Sequence, residues 1–270
     1  MRASVREPAV VGRFYPENRV RLREDVKSYL LPEKKRIRAI GCIAPHAGYL
    51  YSGPTAGAVF SRLEIPACCI ILCPNHTGRG HPLAVMAFGN WKTPLGEVAI
   101  DSTFAEELMQ AFPALTQDST AHQSEHAIEV ELPFLQICRP EVTIVPIALG
   151  TGQLLLLEEL GQALAGVIQK SKRQVLIIAS SDMNHYENDA ITRTKDHKAI
   201  EKILALDAPG LYETVINESI SMCGFGPAIT MLTAARKLGA HRAELVHYAT
   251  SADASGDRNT VVGYAGILVQ

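Results

Sequence analysis

Four segments of this chain are apolar almost without interruption: 36–44 (RIRAIGCIA), 67–73 (ACCIILC), 142–148 (VTIVPIA) and 174–179 (QVLIIA). Their length and β-branched content suit strands. A strand with one wet face alternates polar and apolar residues, whereas a strand that is apolar throughout has to be covered on both sides. Helical patterns fall between and after them, at 55–63, 103–112, 125–138, 154–169, 191–206, 209–219 and 227–238. Two further strands, 243–249 and 261–269, are expected to run antiparallel to each other. The alternation predicts an α/β fold with a central, mostly parallel sheet and helices on both faces. No repeat and no Gly/Ser-rich or Pro-rich linker interrupts it, so residues 1–270 read as one domain.

Composition removes several function classes. Apolar residues are 47% and charged residues 20% of the 270, which supports a large core and excludes wholesale disorder. With 26 Lys+Arg against 28 Asp+Glu, the net charge of −2 offers no basic footprint, and no nucleic-acid partner is expected. No apolar run reaches the roughly 18 residues of a membrane span. The opening Met1-Arg-Ala-Ser-Val-Arg-Glu-Pro has no apolar h-region, so no secretory leader is expected and the location reads as cytoplasmic. The six cysteines form no CxxC pair, and five lie in apolar stretches, as reduced thiols would. Leu154–Leu157 reads either as a contact surface, implying a homo-oligomer, or as a buried helix start.

The chemistry gathers at strand ends. Segment 36–44 runs into Pro45-His46-Ala47-Gly48-Tyr49, segment 67–73 into Pro74-Asn75-His76-Thr77-Gly78, and segment 174–179 into Ser180-Ser181-Asp182-Met183-Asn184-His185-Tyr186. In an open parallel sheet, ligands bind in the crevice beyond the carboxyl ends of the strands. His46, His76 and the Asp182/His185 pair are therefore delivered to one edge. A single histidine after a strand reads as an ordinary surface residue; three such clusters together read as a site. Two imidazoles supply half of a metal site, and Asp182, Glu125 and Cys223 are the candidates for a third ligand. Cys223, in MCGFGP just before a helix, is expected to have its thiolate favoured by the helix dipole, as a ligand or as a nucleophile; it reads equally as a small buried filler. Glu125 at a helix start suits the dipole, and His126 beside it is a second candidate for the pocket. His81, His122, His197, His241 and His247 receive no role.

These residues also carry a resemblance. REPAVVGRFYP from Arg6, APHAGYLYSG from Ala44, PNHTG from Pro74, EHAIEVELPFL from Glu125, SSDMNHY from Ser180, CGFGP from Cys223 and YATSADASGD from Tyr248 resemble, in order, the motifs of the Memo family. Memo stands for mediator of ErbB2-driven cell motility, and prokaryotic members are called AmmeMemoRadiSam system protein B. That family is similar in fold to class III extradiol dioxygenases of the LigB type, which hold non-haem Fe(II) on two His and a carboxylate. The resemblance implies His46 and His76 as metal ligands and Cys223 at the third position. It implies His185 as acid/base, His126 as a second pocket histidine and Asp182 as a residue that orients His185 or binds metal. A thiolate in place of the carboxylate is softer and shifts preference toward Cu(I) or Zn. Three functions follow as expectations. The first is metal-dependent redox chemistry with iron, copper or zinc on an unidentified small molecule. The second is a thiol enzyme with Cys223 as nucleophile and His185 as base. The third is a non-catalytic module that binds a peptide or small ligand on a dioxygenase-like scaffold.

Overall fold

The computed structural model describes residues 4–32 and 35–270; Met1–Ala3, part of the segment read as lacking a leader, lie outside them. In chain order the elements are β1 (Val5–Arg6), α1 (Arg19–Tyr29), β2 (Gly41–Ala44), α2 (Tyr49–Arg62), β3 (Cys68–Pro74), β4 (Leu83–Val85), β5 (Asn90–Thr93) and β6 (Gly96–Ala99). Then come α3 (Ser102–Ala111), β7 (Thr116–Gln117), α4 (Thr120–Gln123), α5 (Ala127–Cys138), β8 (Thr143–Leu149), α6 (Leu154–Ser171), β9 (Val175–Ser180) and β10 (His185–Glu187). The chain continues with α7 (Asp189–Leu204), α8 (Ala208–Asn217), α9 (Phe225–Lys237), β11 (Ala243–Thr250), α10 (Ala252–Ser255) and β12 (Val261–Val269).

Among the described residues, nine strands make one mixed sheet. Its centre, β2-β9-β3-β8, is parallel. Antiparallel pairs flank it: β12 with β2, β10 and β11 on one side, and β4 with β8 on the other, where β7 then adds in parallel to β4. The expected α/β fold is present, with the parallel pairing concentrated at the centre of a mixed sheet. A second, three-stranded sheet, β1-β5-β6, lies apart from it.

The central strands explain the two-sided cover. In β3, Cys68, Ile70 and Leu72 pack into one apolar cluster with the buried faces of α6 and α9, while Cys69, Ile71 and Cys73 pack into another with α2 and α5. Period-2 alternation thus persists, but both faces are dry. All six cysteines carry free thiols. The apolar run at the start of α6 divides: Leu157 is wholly buried and Leu155 stands exposed.

Three element readings change. The strand expected over 36–44 is regular only at Gly41–Ala44; Ile37 makes an isolated bridge to Leu63. Helix α2 starts at Tyr49, six residues before the expected 55, and carries Pro54 inside it. Helix α5 starts at Ala127, which leaves Glu125 outside the helix and free to turn back toward β3. No helix among the described residues is long and apolar enough to cross a membrane.

Candidate metal centre

The register of the central strands places Ala44 beside Ser180 and Leu72 beside Ala179, so β2, β9 and β3 end at one edge. The chain leaving β2 carries His46, the chain leaving β3 carries His76, and the chain leaving β9 carries Asp182. Cys223 arrives from elsewhere, on the approach to α9. Gly224 makes that approach feasible, because a Cβ there would fall 2.3 Å from the Ser180 carbonyl oxygen and 2.4 Å from Ser181 Cβ. Its backbone N–H donates to Ser181 Oγ at 3.0 Å, tying the start of α9 to the end of β9.

One nitrogen from each of His46 and His76 and the sulfur of Cys223 lie within 4.8 Å of one another. His46 is buried; its Nε2 stands 3.4 Å from Cys223 Sγ and its Nδ1 2.8 Å from Ser180 Oγ. Burial lowers its pKa well below the ordinary histidine value, and the neighbouring His76, His126 and His185 add to the effect, so the ring is neutral. His76 sits at the mouth. Burial is the largest single influence and pulls it down, but the hydrogen bond to Glu125 and the charges of Glu125 and Asp182 together outweigh it and the net shift is upward. Cys223 has its thiol pushed up, first by burial and then by Asp182. Burial thus works on this thiol against the helix dipole, which favours the thiolate.

Glu125 is wholly buried. Its Oε1 accepts from His76 Nδ1 at 2.9 Å and from the backbone N–H groups of His126 and Ala127 at 2.9 and 3.0 Å; its Oε2 accepts the His76 backbone N–H at 2.7 Å. Burial opposes its ionisation, but these bonds hold its pKa below the ordinary value. His76, Glu125 and His126 form a second grouping with metal-ligand spacing. Glu125 is so fully engaged by donors that it acts as the anchor of His76, which leaves Nε2 of His76 as the outward donor. The set His46, His76 and Cys223 turns one nitrogen from each ring and the sulfur toward one another, and two imidazoles with one sulfur suit Fe, Cu or Zn.

The remaining candidates surround this set. Asp182 Oδ1 accepts the His46 backbone N–H at 2.9 Å, and the Asp182 backbone N–H donates to Cys223 Sγ at 3.3 Å. Burial pushes its carboxyl up to about 7. Asp182 thus holds His46 and Cys223 in place and makes no bond to His185. His126 stacks on His76 with ring centroids 4.7 Å apart and packs on Phe14 at 4.9 Å. His185 is half-buried, with Nδ1 held by the Ser221 carbonyl at 2.9 Å; it makes no hydrogen bond to Cys223, whose imidazole neighbour is His46. Tyr186, next to it, is exposed with φ 63°, a strained conformation at the rim. A cavity of about 370 Å³ adjoins His76 and Cys223 and is lined also by Asn75, Gly150, Thr151 and Phe225 among others.

Four roles escape a reading of the sequence. Ser180 Oγ holds His46 Nδ1, and Glu125 holds His76; neither link is visible along the chain because the partners are 134 and 49 residues apart. His122, placed among polar neighbours by its sequence, is wholly buried, with both ring nitrogens unpartnered and its ring 5.8 Å from that of Trp91. Burial pushes it down to about 4. Arg6 is also buried; it pairs with Glu129, donates to the carbonyls of His122 and Glu125, and fastens the N-terminal segment under the site.

The sequence profile of the Memo-like protein family matches residues 6–268. A MEMO1 family protein of Methanosarcina barkeri is 43% identical over 268 residues, covering 98% of this chain and 100% of that protein. Those of Pyrobaculum arsenaticum and Methanopyrus kandleri are each 42% identical, over 276 and 277 residues, covering 98% and 97% of this chain and 98% of each relative. With the match spanning nearly its full length, the chain belongs to the Memo family.

Proposed function

We propose that this chain is a metal-binding protein whose His46–His76–Cys223 set holds iron, copper or zinc and supports metal-dependent redox chemistry on a small molecule in the crevice above it. The reading rests on one observation: two imidazoles and one thiol, brought from separate strand ends and a helix start, converge within 4.8 Å. A bound redox metal would supply electron transfer and Lewis acidity. The chain's own residues do the rest. Glu125 and Ser180 orient the two imidazoles, Asp182 positions His46 and Cys223, and neutral His185 is the proton carrier at the rim. A cytoplasmic setting and the LigB-like scaffold belong to the same reading.

The test is stoichiometry. Protein loaded anaerobically with Fe(II), Cu(I) or Zn(II) is expected to bind one ion per chain, and His46→Ala/His76→Ala protein to bind none at that site. Wild-type protein that stays substoichiometric with all three contradicts the proposal.

A second reading has its own observation. Cys223 Sγ faces neutral His46 Nε2 at 3.4 Å, a thiol–imidazole pair of the kind found in nucleophilic enzymes. In that case His46, and not His185, is the base. Iodoacetamide distinguishes the two: Cys223 that labels faster than an ordinary thiol at neutral pH supports the nucleophile, and slow labelling removes it.

A further inference from the structure

Two stretches that carry site residues run side by side and are cross-linked along their length. One leaves β9 as Ser181-Asp182-Met183-Asn184-His185; the other approaches α9 as Ser221-Met222-Cys223-Gly224. At one end the Gly224 N–H donates to Ser181 Oγ and the Asp182 N–H to Cys223 Sγ. At the other end stand Asn184 and Ser221. Asn184 is wholly buried. Its Oδ1 accepts from the Ser221 backbone N–H at 3.0 Å, and its Nδ2 donates to Glu187 Oε2 at 2.8 Å and to Thr192 Oγ1 at 3.3 Å. Its backbone N–H donates to Asp196 on α7 at 2.8 Å, and its carbonyl accepts from Gly263 on β12 at 2.9 Å. Every polar group of Asn184 is engaged. The amide's orientation follows, because one end faces an N–H and the other a carboxylate.

Ser221 passes this anchorage on to His185. Its Oγ accepts the His185 backbone N–H at 2.8 Å, and its carbonyl oxygen stands 2.9 Å from His185 Nδ1. The Ser221 hydroxyl hydrogen goes to one of two acceptors, Asn184 Oδ1 at 3.1 Å or the His185 carbonyl at 3.3 Å. A carbonyl oxygen can only accept, so the bond to Ser221 needs the ring hydrogen on Nδ1. Burial lowers the His185 pKa below the ordinary histidine value, which favours the neutral ring. A neutral imidazole with its hydrogen on Nδ1 has its lone pair on Nε2.

We propose that Ser221 and Asn184 are positioning residues that hold His185 as the Nδ1–H tautomer, so that Nε2 takes a proton before it gives one. The site then suits a ligand that arrives with an acidic O–H or N–H. That bond breaks, its electron pair stays on the ligand, and the proton passes to Nε2. The use of His185 as proton carrier rests on the proposed function; the tautomer is a property of the metal-free chain.

Long-range ¹H–¹⁵N spectra of the metal-free protein read the tautomer directly, with His185 assigned by its loss in His185→Ala. Wild type and Ser221→Thr, which keeps the hydroxyl, are expected in the Nδ1–H form. Asn184→Ala releases the Ser221 segment and is expected to raise the ratio of Nε2–H to Nδ1–H about fivefold, the worth of one net hydrogen bond. Should Asn184→Ala not fold, Ser221→Ala carries the test, with a shift in the same direction. Residues that merely brace the loop would lower the thermal midpoint on substitution and leave the tautomer ratio alone. The proposal is overturned by wild type in the Nε2–H form, by an unchanged ratio in Asn184→Ala or Ser221→Ala, or by a shift in Ser221→Thr as large as in Ser221→Ala. Wild type in the Nδ1–H form that binds no Zn(II) keeps the positioning role and sinks the metal reading; Zn(II) binding by wild type in the Nε2–H form does the reverse.

Discussion

Glu125 grips His76 twice, accepting its ring Nδ1–H at 2.9 Å and its backbone N–H at 2.7 Å. The carboxylate thus fixes both the ring's tautomer and the position of the loop that bears it. Carboxylates that support a ligating imidazole in this way tune metal affinity by about 10–100-fold. Glu125→Gln is expected to weaken Zn(II) binding within that range, measured by competition with a chelating dye. Unchanged affinity would show that Glu125 only braces the loop.

His76→Ala is expected to abolish binding at this set with little loss of stability. The side chain is partly exposed at the mouth, and Glu125 keeps the backbone N–H groups of His76, His126 and Ala127 after the ring is gone. Urea denaturation of metal-free protein is expected to differ from wild type by less than about 1 kcal/mol, the range of substitutions outside the core. A larger loss would make His76 a structural residue.

Metal affinity is expected to rise with pH. The Cys223 thiol is held up by burial, so a cation that ligates sulfur must displace its proton. One released proton corresponds to about a tenfold gain in affinity per pH unit below the thiol pKa. Isothermal titration in buffers of different ionisation enthalpy counts that proton, and Cys223→Ala is expected to lose it. An affinity that does not change between pH 6 and 8 would place Cys223 outside the metal's reach.

Away from the crevice, Asp196 gives a separate pH signature. It is wholly buried on α7, accepting from Tyr248 OH at 2.7 Å and from the Asn184 backbone N–H at 2.8 Å, and burial pushes its carboxyl from 3.8 up to about 6. Between about pH 4 and 6 the folded state keeps a proton that the unfolded state has released, so this group's contribution to stability falls as pH rises through that window. At about 1.4 kcal/mol per pKa unit the full swing is ~3 kcal/mol. Asp196→Asn is expected to lack it in urea denaturations at pH 4 and 7. Parallel curves for variant and wild type would show that Asp196 is ionised throughout.

The core strands were legible in the sequence because strands covered on both faces are apolar at nearly every position, and β3, β8, β9 and β12 all sit within a residue or two of their expected limits. The convergence of His46, His76 and Asp182 was legible for a related reason: parallel strands end at one edge whatever lies between them. Elements with few buried residues were not. Helix α1 buries only Leu22 and Val26, too few for a periodic signal, and the short strands β4 to β7 take their form from tertiary pairing. Pro54 disguised the start of α2 as a turn. Links such as Glu125 to His76 and Ser180 to His46 depend on side chains meeting across the fold, and no local pattern encodes them. Cys223 shows the same limit in its electrostatics: the helix start is visible in the sequence, but the depth of burial that raises the thiol is not.

The most direct test is anomalous X-ray scattering from crystals soaked in Zn(II), with data collected above the metal's absorption edge. The account predicts one peak per chain, about 2.0–2.3 Å from His46 Nε2, an imidazole nitrogen of His76 and Cys223 Sγ. No peak between those three atoms, or a peak seated on His76, Glu125 and His126 instead, would contradict it.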